Sequence, residues 1–125
     1  GRYEENDKSL LDTALRETHE EIGIPSGQIR VIGKLTRLYI PPSNFIVEPW
    51  VGYLVNQPKF IPEPSEVDQI FSIPLSELLK DDCLQSRLVR AGNTKVEVPC
   101  FYVNEKMIWG ATSMILNELL ELIRA

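Results

Sequence analysis

A chain of 125 residues that is 43% hydrophobic and 25% charged has the length and composition of one soluble globular domain, which excludes a disordered or fibrous chain. Its 18 acidic and 13 basic residues leave a formal charge of -5, which argues against a protein that coats nucleic acid; an anionic ligand needs a metal or a local cluster of cations. No apolar run is long enough to span a membrane, no charged-then-apolar leader opens the sequence, and Cys83 and Cys100 lack the spacing of a zinc site or a disulfide framework, so a cytoplasmic protein with reduced, packed thiols is expected.

The first predicted element is a helix from Ser9 to Ile22. Leu11, Ala14, Leu15 and Ile22 recur at helical spacing with Thr18 between them, Asp7 offers an N-cap, and Gly23 followed by Pro25 ends the run. Ile29 to Ile40 and Phe45 to Val55 are rich in β-branched and aromatic residues. They predict two strands around the loop Pro41-Pro42-Ser43-Asn44, with Pro49 marking a bulge or an edge in the second. Val67 to Ile73 alternates imperfectly and predicts a further strand, after which Pro74 starts a short helix through Leu79. Val96 to Val103 and Met107 to Trp109 flank Asn104-Glu105-Lys106 as a hairpin, and Ala111 to Ile123 predicts a closing amphipathic helix. With no repeat, low-complexity tract or long linker, residues 1–125 are expected to form a single domain, and intermixed strands and helices indicate an α+β or α/β sandwich.

At about 100 degrees per residue, Glu17, Glu20 and Glu21 fall within one sector of the first helix, on a face distinct from the Leu11/Leu15/Ile22 stripe. Like charges three and four residues apart each destabilise a helix by roughly 0.2–0.5 kcal/mol, so three on one face are unfavourable unless cations neutralise them. Oxygen donors at this density suit Mg2+ or Mn2+, hard ions that retain waters and bridge to substrate phosphates. On helix geometry alone, a solvated acidic face beside Arg16 and Lys8 explains the pattern as well.

The order of residues adds to this. Gly1 and then Arg16-Glu17-Thr18-His19-Glu20-Glu21-Ile22-Gly23-Ile24 resembles the signature of the Nudix hydrolases, in which a glycine precedes a helix ending in Arg-Glu-x-x-Glu-Glu-x-Gly-apolar. The resemblance implies a Nudix-type α/β/α sandwich with a mixed sheet, and an enzyme that cleaves a nucleoside diphosphate linked to another moiety. By position it implies Glu17, Glu20 and Glu21 as ligands of Mg2+ or Mn2+, with Arg16 as the ion-pairing residue that orients them.

Two positions depart from the usual box: Lys8 stands where a glutamate belongs and Arg2 where a glycine does. A spacing one residue longer restores both, with Asp7 and Gly1. That longer box is similar to the coenzyme A pyrophosphatase branch of the family, whose pattern falls on Gly1, Glu4, Asp7, Thr13, Ala14, Arg16 and Glu17; the segments Ser43 to Gly52 and Ile108 to Thr112 are similar to it as well. The branch resemblance implies cleavage of coenzyme A or its thioesters to phosphopantetheine and adenosine 3',5'-bisphosphate. A Nudix hydrolase of ADP-ribose or another nucleoside diphosphate derivative, or a catalytically silent Nudix-fold nucleotide sensor, are the alternatives. Both the branch's Leu-Leu-Thr-x-Arg-Ser type segment and the strands that family members place before the box lie upstream, so an N-terminally truncated domain is expected.

Glu66 follows Pro64-Ser65, where Nudix enzymes often supply a further glutamate as metal ligand or general base; an exposed glutamate at a strand start is the alternative. Glu20, Glu66 and Arg16 are therefore the expected catalytic set. His19, the only histidine, is expected on the surface or in helix packing. Tyr39, Phe45, Trp50 and Tyr53 are expected mostly in the core, and Arg37, Arg87 and Arg90 are candidates for phosphate contact, with surface solvation the simpler role. The expected partner is a small-molecule nucleotide-diphosphate substrate, with no nucleic acid and no membrane; assembly as a homodimer stays open.

Overall fold

A computed structural model describes residues 2–41, 43–80 and 84–125, apart from the side chains of Arg87, Val89 and Ala91; the expectations for Gly1, Cys83 and the Arg87 side chain lie outside the described residues. Helix α1 spans Leu10–Ile22. Its N-cap is Ser9, whose hydroxyl accepts the Asp12 N–H at 3.2 Å, while the Asp12 carboxylate accepts the Lys8 N–H at 3.1 Å. Asp7, expected as the cap, is instead drawn to the Arg16 guanidinium, a stronger donor than a helix N–H. Gly23 ends the helix at φ 78, with its N–H on the His19 carbonyl. A Cβ there would lie 2.6 Å from the Ile61 Cβ, so both the left-handed backbone and the chain passing over it require glycine.

A 3-10 turn over Ser26–Gln28 leads into β1, Ile29–Lys34, and β2 follows at Leu38–Ile40. Next come β3, Phe45–Val47, and β4, Trp50–Leu54. Each of the two expected strands is thus split. At the break the Pro49 carbonyl accepts the Leu35 N–H at 2.9 Å, and the Glu48 carboxylate takes hydrogen bonds from Arg37 and the Trp50 indole, so side-chain chemistry replaces the ladder. β1 and β4 pair antiparallel, Ile29 opposite Leu54 and Lys34 opposite Trp50, with a bulge between Val31 and Gly33.

Residues 67–73 form no strand, contrary to expectation. Val67 gives its N–H to Glu63 in a turn, and the broken alternation offers a sheet no continuous apolar face. Helix α2, Leu75–Leu78, starts behind Pro74 as expected. Strand β5, Leu84–Ala91, was not anticipated; it pairs antiparallel with β6, Thr94–Val103, across a Gly92-Asn93 turn in which Gly92 has φ 64. β6 pairs antiparallel with β7, Lys106–Trp109, across Asn104 and Glu105, both at positive φ, and α3 spans Gly110–Arg124.

The fold is α+β, built as two compact units: Gly1–Arg37 with Ile46–Phe71, and Leu38–Phe45 with Ser72–Ala125. In the first, Leu11, Ala14 and Leu15 of α1 and residues of β1 and β4 line an apolar cavity of about 240 Å3 that holds no carboxylate, amine or imidazole. In the second, Phe101 and Val103 of β6 cluster with Leu78 of α2 and Leu120 of α3. Full burial of Phe101 and Leu120 contributes about 1.5–3 kcal/mol each. Cys100 is a free, fully buried thiol. The ladders of β1 with β4, β5 with β6 and β6 with β7 are all antiparallel, and β2 and β3 form a further two-stranded sheet. Tyr39, Phe45 and Tyr53 are exposed, a correction to their expected place in the core: a small sheet has one face to bury, and the alternate side chains meet solvent. Among the described residues no helix is long and apolar enough to cross a membrane.

Candidate functional site

The last carbonyls of a helix have no partner within it, and α1 finds outside partners for two of them. The Ile22 carbonyl accepts the Ile61 N–H at 2.9 Å and the Glu21 carbonyl accepts the Glu63 N–H at 2.8 Å. The chain then turns, with the Glu63 carbonyl accepting the N–H groups of Glu66 and Val67 at 3.0 and 2.9 Å. Docked in this way, the loop brings Glu63, Ser65 and Glu66 to a cavity of about 740 Å3 that Glu17, Glu20 and Glu21 of α1 also line. Arg16, Arg2 and Glu4 complete its wall.

Arg16 sits amid four carboxylates. Its Nε and Nη2 donate to the two oxygens of Asp7, each at 3.1 Å, and Nη1 donates to Glu17 at 3.3 Å and Glu20 at 3.2 Å and pairs with Glu4 at 3.0 Å. Nη2 also donates to the Arg2 carbonyl at 2.7 Å. The planar fork of a guanidinium makes this many directed bonds at once, which an ammonium cannot do. Asp7 is only 6% exposed and also accepts the Glu4 N–H at 2.9 Å and the Thr13 hydroxyl at 3.0 Å. The Arg16 hydrogen bonds first, then the Glu4 amide, hold its carboxyl down at about 2 against the opposing effect of burial. Asp7 in turn keeps Arg16 more firmly protonated than usual.

Burial, then a hydrogen bond with Glu17 and the Glu17 charge, and further the Glu66 charge push the Glu21 carboxyl above its ordinary range. Glu21 therefore lies near enough to both Glu17 and Glu66 to be repelled by each. Among the described residues no three His, Cys, Asp or Glu groups close into a finished metal cage. The donor set fits a hard divalent cation all the same: every candidate donor is a carboxylate oxygen, the cavity is open, and mutual repulsion is what a cation relieves. Mg2+ takes one or two protein carboxylates and keeps several waters, so an unfinished cage suits it.

The five site residues expected from the sequence, Arg16, Glu17, Glu20, Glu21 and Glu66, thus line one cavity. His19 is exposed on α1, and Arg90 is exposed on β5. Arg37, a phosphate candidate, is tied to Glu48 at 3.1 Å. The sequence reading missed Glu63 and Ser65, although the Glu63-x-x-Glu66 spacing within a proline-bounded turn was there to be read. It also missed Glu48, whose carboxylate is 7% exposed between Lys34 and Arg37. Burial pushes that group up, but Arg37, the Trp50 indole and Lys34 together hold it below its ordinary range.

Residues 1–91 match the NUDIX domain. The chain is 32% identical over 124 residues, 99% of its length, to an uncharacterized Nudix hydrolase NudL of Photorhabdus laumondii. Over 95% of its length it is 31% identical to NudL of Pectobacterium atrosepticum and 34% identical to NudL of Yersinia enterocolitica, both likewise uncharacterized. It covers 66%, 62% and 60% of these three relatives, less than two thirds of each.

Proposed function

The chain belongs to the Nudix family of hydrolases, and on that premise we propose that it hydrolyses the diphosphate of coenzyme A or its thioesters, releasing phosphopantetheine and adenosine 3',5'-bisphosphate. What supports the hydrolase reading is a single observation: the α1 carboxylates and Glu66, from segments far apart in the sequence, share one cavity with Arg16. In this reading residues 1–125 act as one Nudix domain.

Glu17, Glu20 and Glu21 hold Mg2+ or Mn2+, which when bound neutralises charge on the diphosphate and stabilises the leaving phosphate. Arg16, anchored on Asp7, keeps the Glu17 and Glu20 carboxylates oriented toward the cavity. Glu66 accepts a proton from the attacking water as the new P–O bond forms and the bridging P–O bond breaks.

What supports the coenzyme A reading is the use made of the longer box. Asp7, the acidic residue that the longer spacing supplies, is hydrogen-bonded to both Thr13 and Arg16, which belong to the same pattern. Coenzyme A, dephospho-coenzyme A and ADP-ribose compared side by side at saturating Mg2+ test the proposal. A higher kcat/KM for coenzyme A than for ADP-ribose is expected, with a loss on removing the 3'-phosphate. A preference for ADP-ribose would overturn the substrate and leave the hydrolase; nucleotide binding without turnover would overturn hydrolysis in favour of a sensor.

A further inference from the structure

We propose that Glu63 is a positioning residue of this site, fixing the turn that aims Glu66 at the α1 carboxylates without itself meeting substrate. The inference rests on the function proposed above in taking Glu66 as the base. Three parts of Glu63 are engaged. Its N–H donates to the Glu21 carbonyl, its carbonyl accepts the N–H groups of Glu66 and Val67, and its carboxylate Oε1 accepts the Ser65 N–H at 3.2 Å and the Ser65 hydroxyl at 3.0 Å. One residue therefore grips the end of α1 and caps the turn that carries Glu66.

The surrounding sequence leaves the side-chain cap as the deciding contact. Pro62 and Pro64 have fixed φ, and a proline disfavours helical backbone at the residue before it, here Ile61 and Glu63. The remaining freedom of the turn lies at Ser65 and Glu66, which the Glu63 carboxylate restrains through Ser65. The Ile61 N–H on Ile22, made at the close approach that Gly23 permits, is a second attachment to the same helix end. Glu63 Oε1 is thus committed to the turn, whereas the Glu66 carboxylate takes no hydrogen bond from the described residues and is left to meet water.

Because the cap uses an acceptor oxygen and not a charge, Glu63→Gln keeps it and Glu63→Ala removes it. In Glu63→Ala, kcat for diphosphate hydrolysis should fall within the roughly 10–100-fold range of a lost supporting contact, while KM and Mn2+ affinity stay within about twofold. Glu63→Gln should restore kcat, and Glu63→Ala should cost nothing further in a Glu66→Gln background. Amide exchange in the metal-free protein gives a readout without turnover: the Glu66 and Val67 N–H groups should exchange faster in Glu63→Ala than in the wild type or Glu63→Gln, with core amides unchanged. If Glu63→Ala does not fold, Ser65→Ala removes only the hydroxyl donor and should show the same pattern at smaller amplitude. Unchanged exchange at Glu66 and Val67 would overturn the proposal. So would an additive loss in the double variant, or a Glu63→Gln as impaired as Glu63→Ala, which would make Glu63 a charge at the metal. A wild-type protein that cleaves no diphosphate would sink the function proposed above, and the exchange pattern would still decide the role of Glu63.

Discussion

Gly23→Ala is the substitution that best tests how the helix end and the loop over it are joined. Gly23 has φ 78, and a side chain held in that left-handed region costs roughly 1–2 kcal/mol. The new Cβ would also stand 2.6 Å from the Ile61 Cβ and 3.1 Å from its backbone nitrogen and oxygen, so the loop must shift, an overpacking cost of about 1–3 kcal/mol. A total of about 2–5 kcal/mol is a large share of the roughly 5–15 kcal/mol that holds a domain folded. Urea unfolding should show it as a lower midpoint at unchanged slope. Gly92, at φ 64 with nothing within 4 Å of an added Cβ, isolates the backbone contribution, so Gly92→Ala should cost only about 1–2 kcal/mol. Gly27, with ordinary φ and open space around it, should gain about 0.4–1 kcal/mol as alanine. If Gly23→Ala proves no worse than Gly92→Ala, the close approach of Ile61 is refuted, and with it the account of how Glu63 and Glu66 are brought to the helix.

Other outcomes follow from the same geometry. Glu20→Gln should bind Mn2+ more weakly in a titration, by at least the roughly 10–100-fold that loss of an outer-shell partner costs; equal affinity would remove Glu20 from the ligand set. Glu66→Gln should lower turnover by about 10²-fold or more with little change in melting temperature, and unchanged turnover would return Glu66 to an ordinary surface carboxylate. The Asp7 carboxyl is lowered from 3.8 to about 2 in the fold, so its contribution to stability is complete above about pH 4 and is lost as the pH falls through about 2. Unfolding midpoints of the wild type and Asp7→Asn should therefore differ near neutrality and converge between about pH 4 and 2; a gap that persists there would show that the ionised carboxylate is not what Arg16 needs.

What was legible in the sequence is what short-range chemistry decides. Helical spacing of Leu11, Ala14 and Leu15 and the stop at Gly23 fixed the end of α1, and the carboxylates at positions 17, 20 and 21 follow from the same periodicity. The turn at Asn104 and Glu105 is likewise written in adjacent residues. The errors fall where a distant partner decides. Asp7 is a good cap by local rules, but a guanidinium nine residues on outcompetes the helix N–H groups. Ile29 to Ile40 reads as one strand until Arg37 and Lys34 turn to Glu48. β5 escaped because Arg87 and Arg90 interrupt its apolar alternation, although Gly92-Asn93 signalled the hairpin that holds it to β6. Residues 67–73 have nearly the composition of a strand, yet no ladder partner among the described residues takes them up.

The charge around the cavity connects the local cost on α1 to the proposed chemistry. Its wall carries the carboxylates of Glu4, Glu17, Glu20, Glu21, Glu63 and Glu66 against the guanidiniums of Arg2 and Arg16, an excess of four negative charges when all are ionised. Arg16 offsets little of this for an incoming anion, because its donors are already directed to Asp7, Glu17, Glu20 and the Arg2 carbonyl. A diphosphate entering alone would meet like charge in a setting where such repulsion is less screened than in bulk water. A divalent cation seated among the carboxylates would halve that excess and set a local positive charge in the path of the diphosphate, and it would relieve the Glu17 and Glu66 repulsion that adds to burial in raising Glu21. On the function proposed above, the clustering that makes one face of α1 unfavourable as a helix would make binding of a diphosphate conditional on the metal.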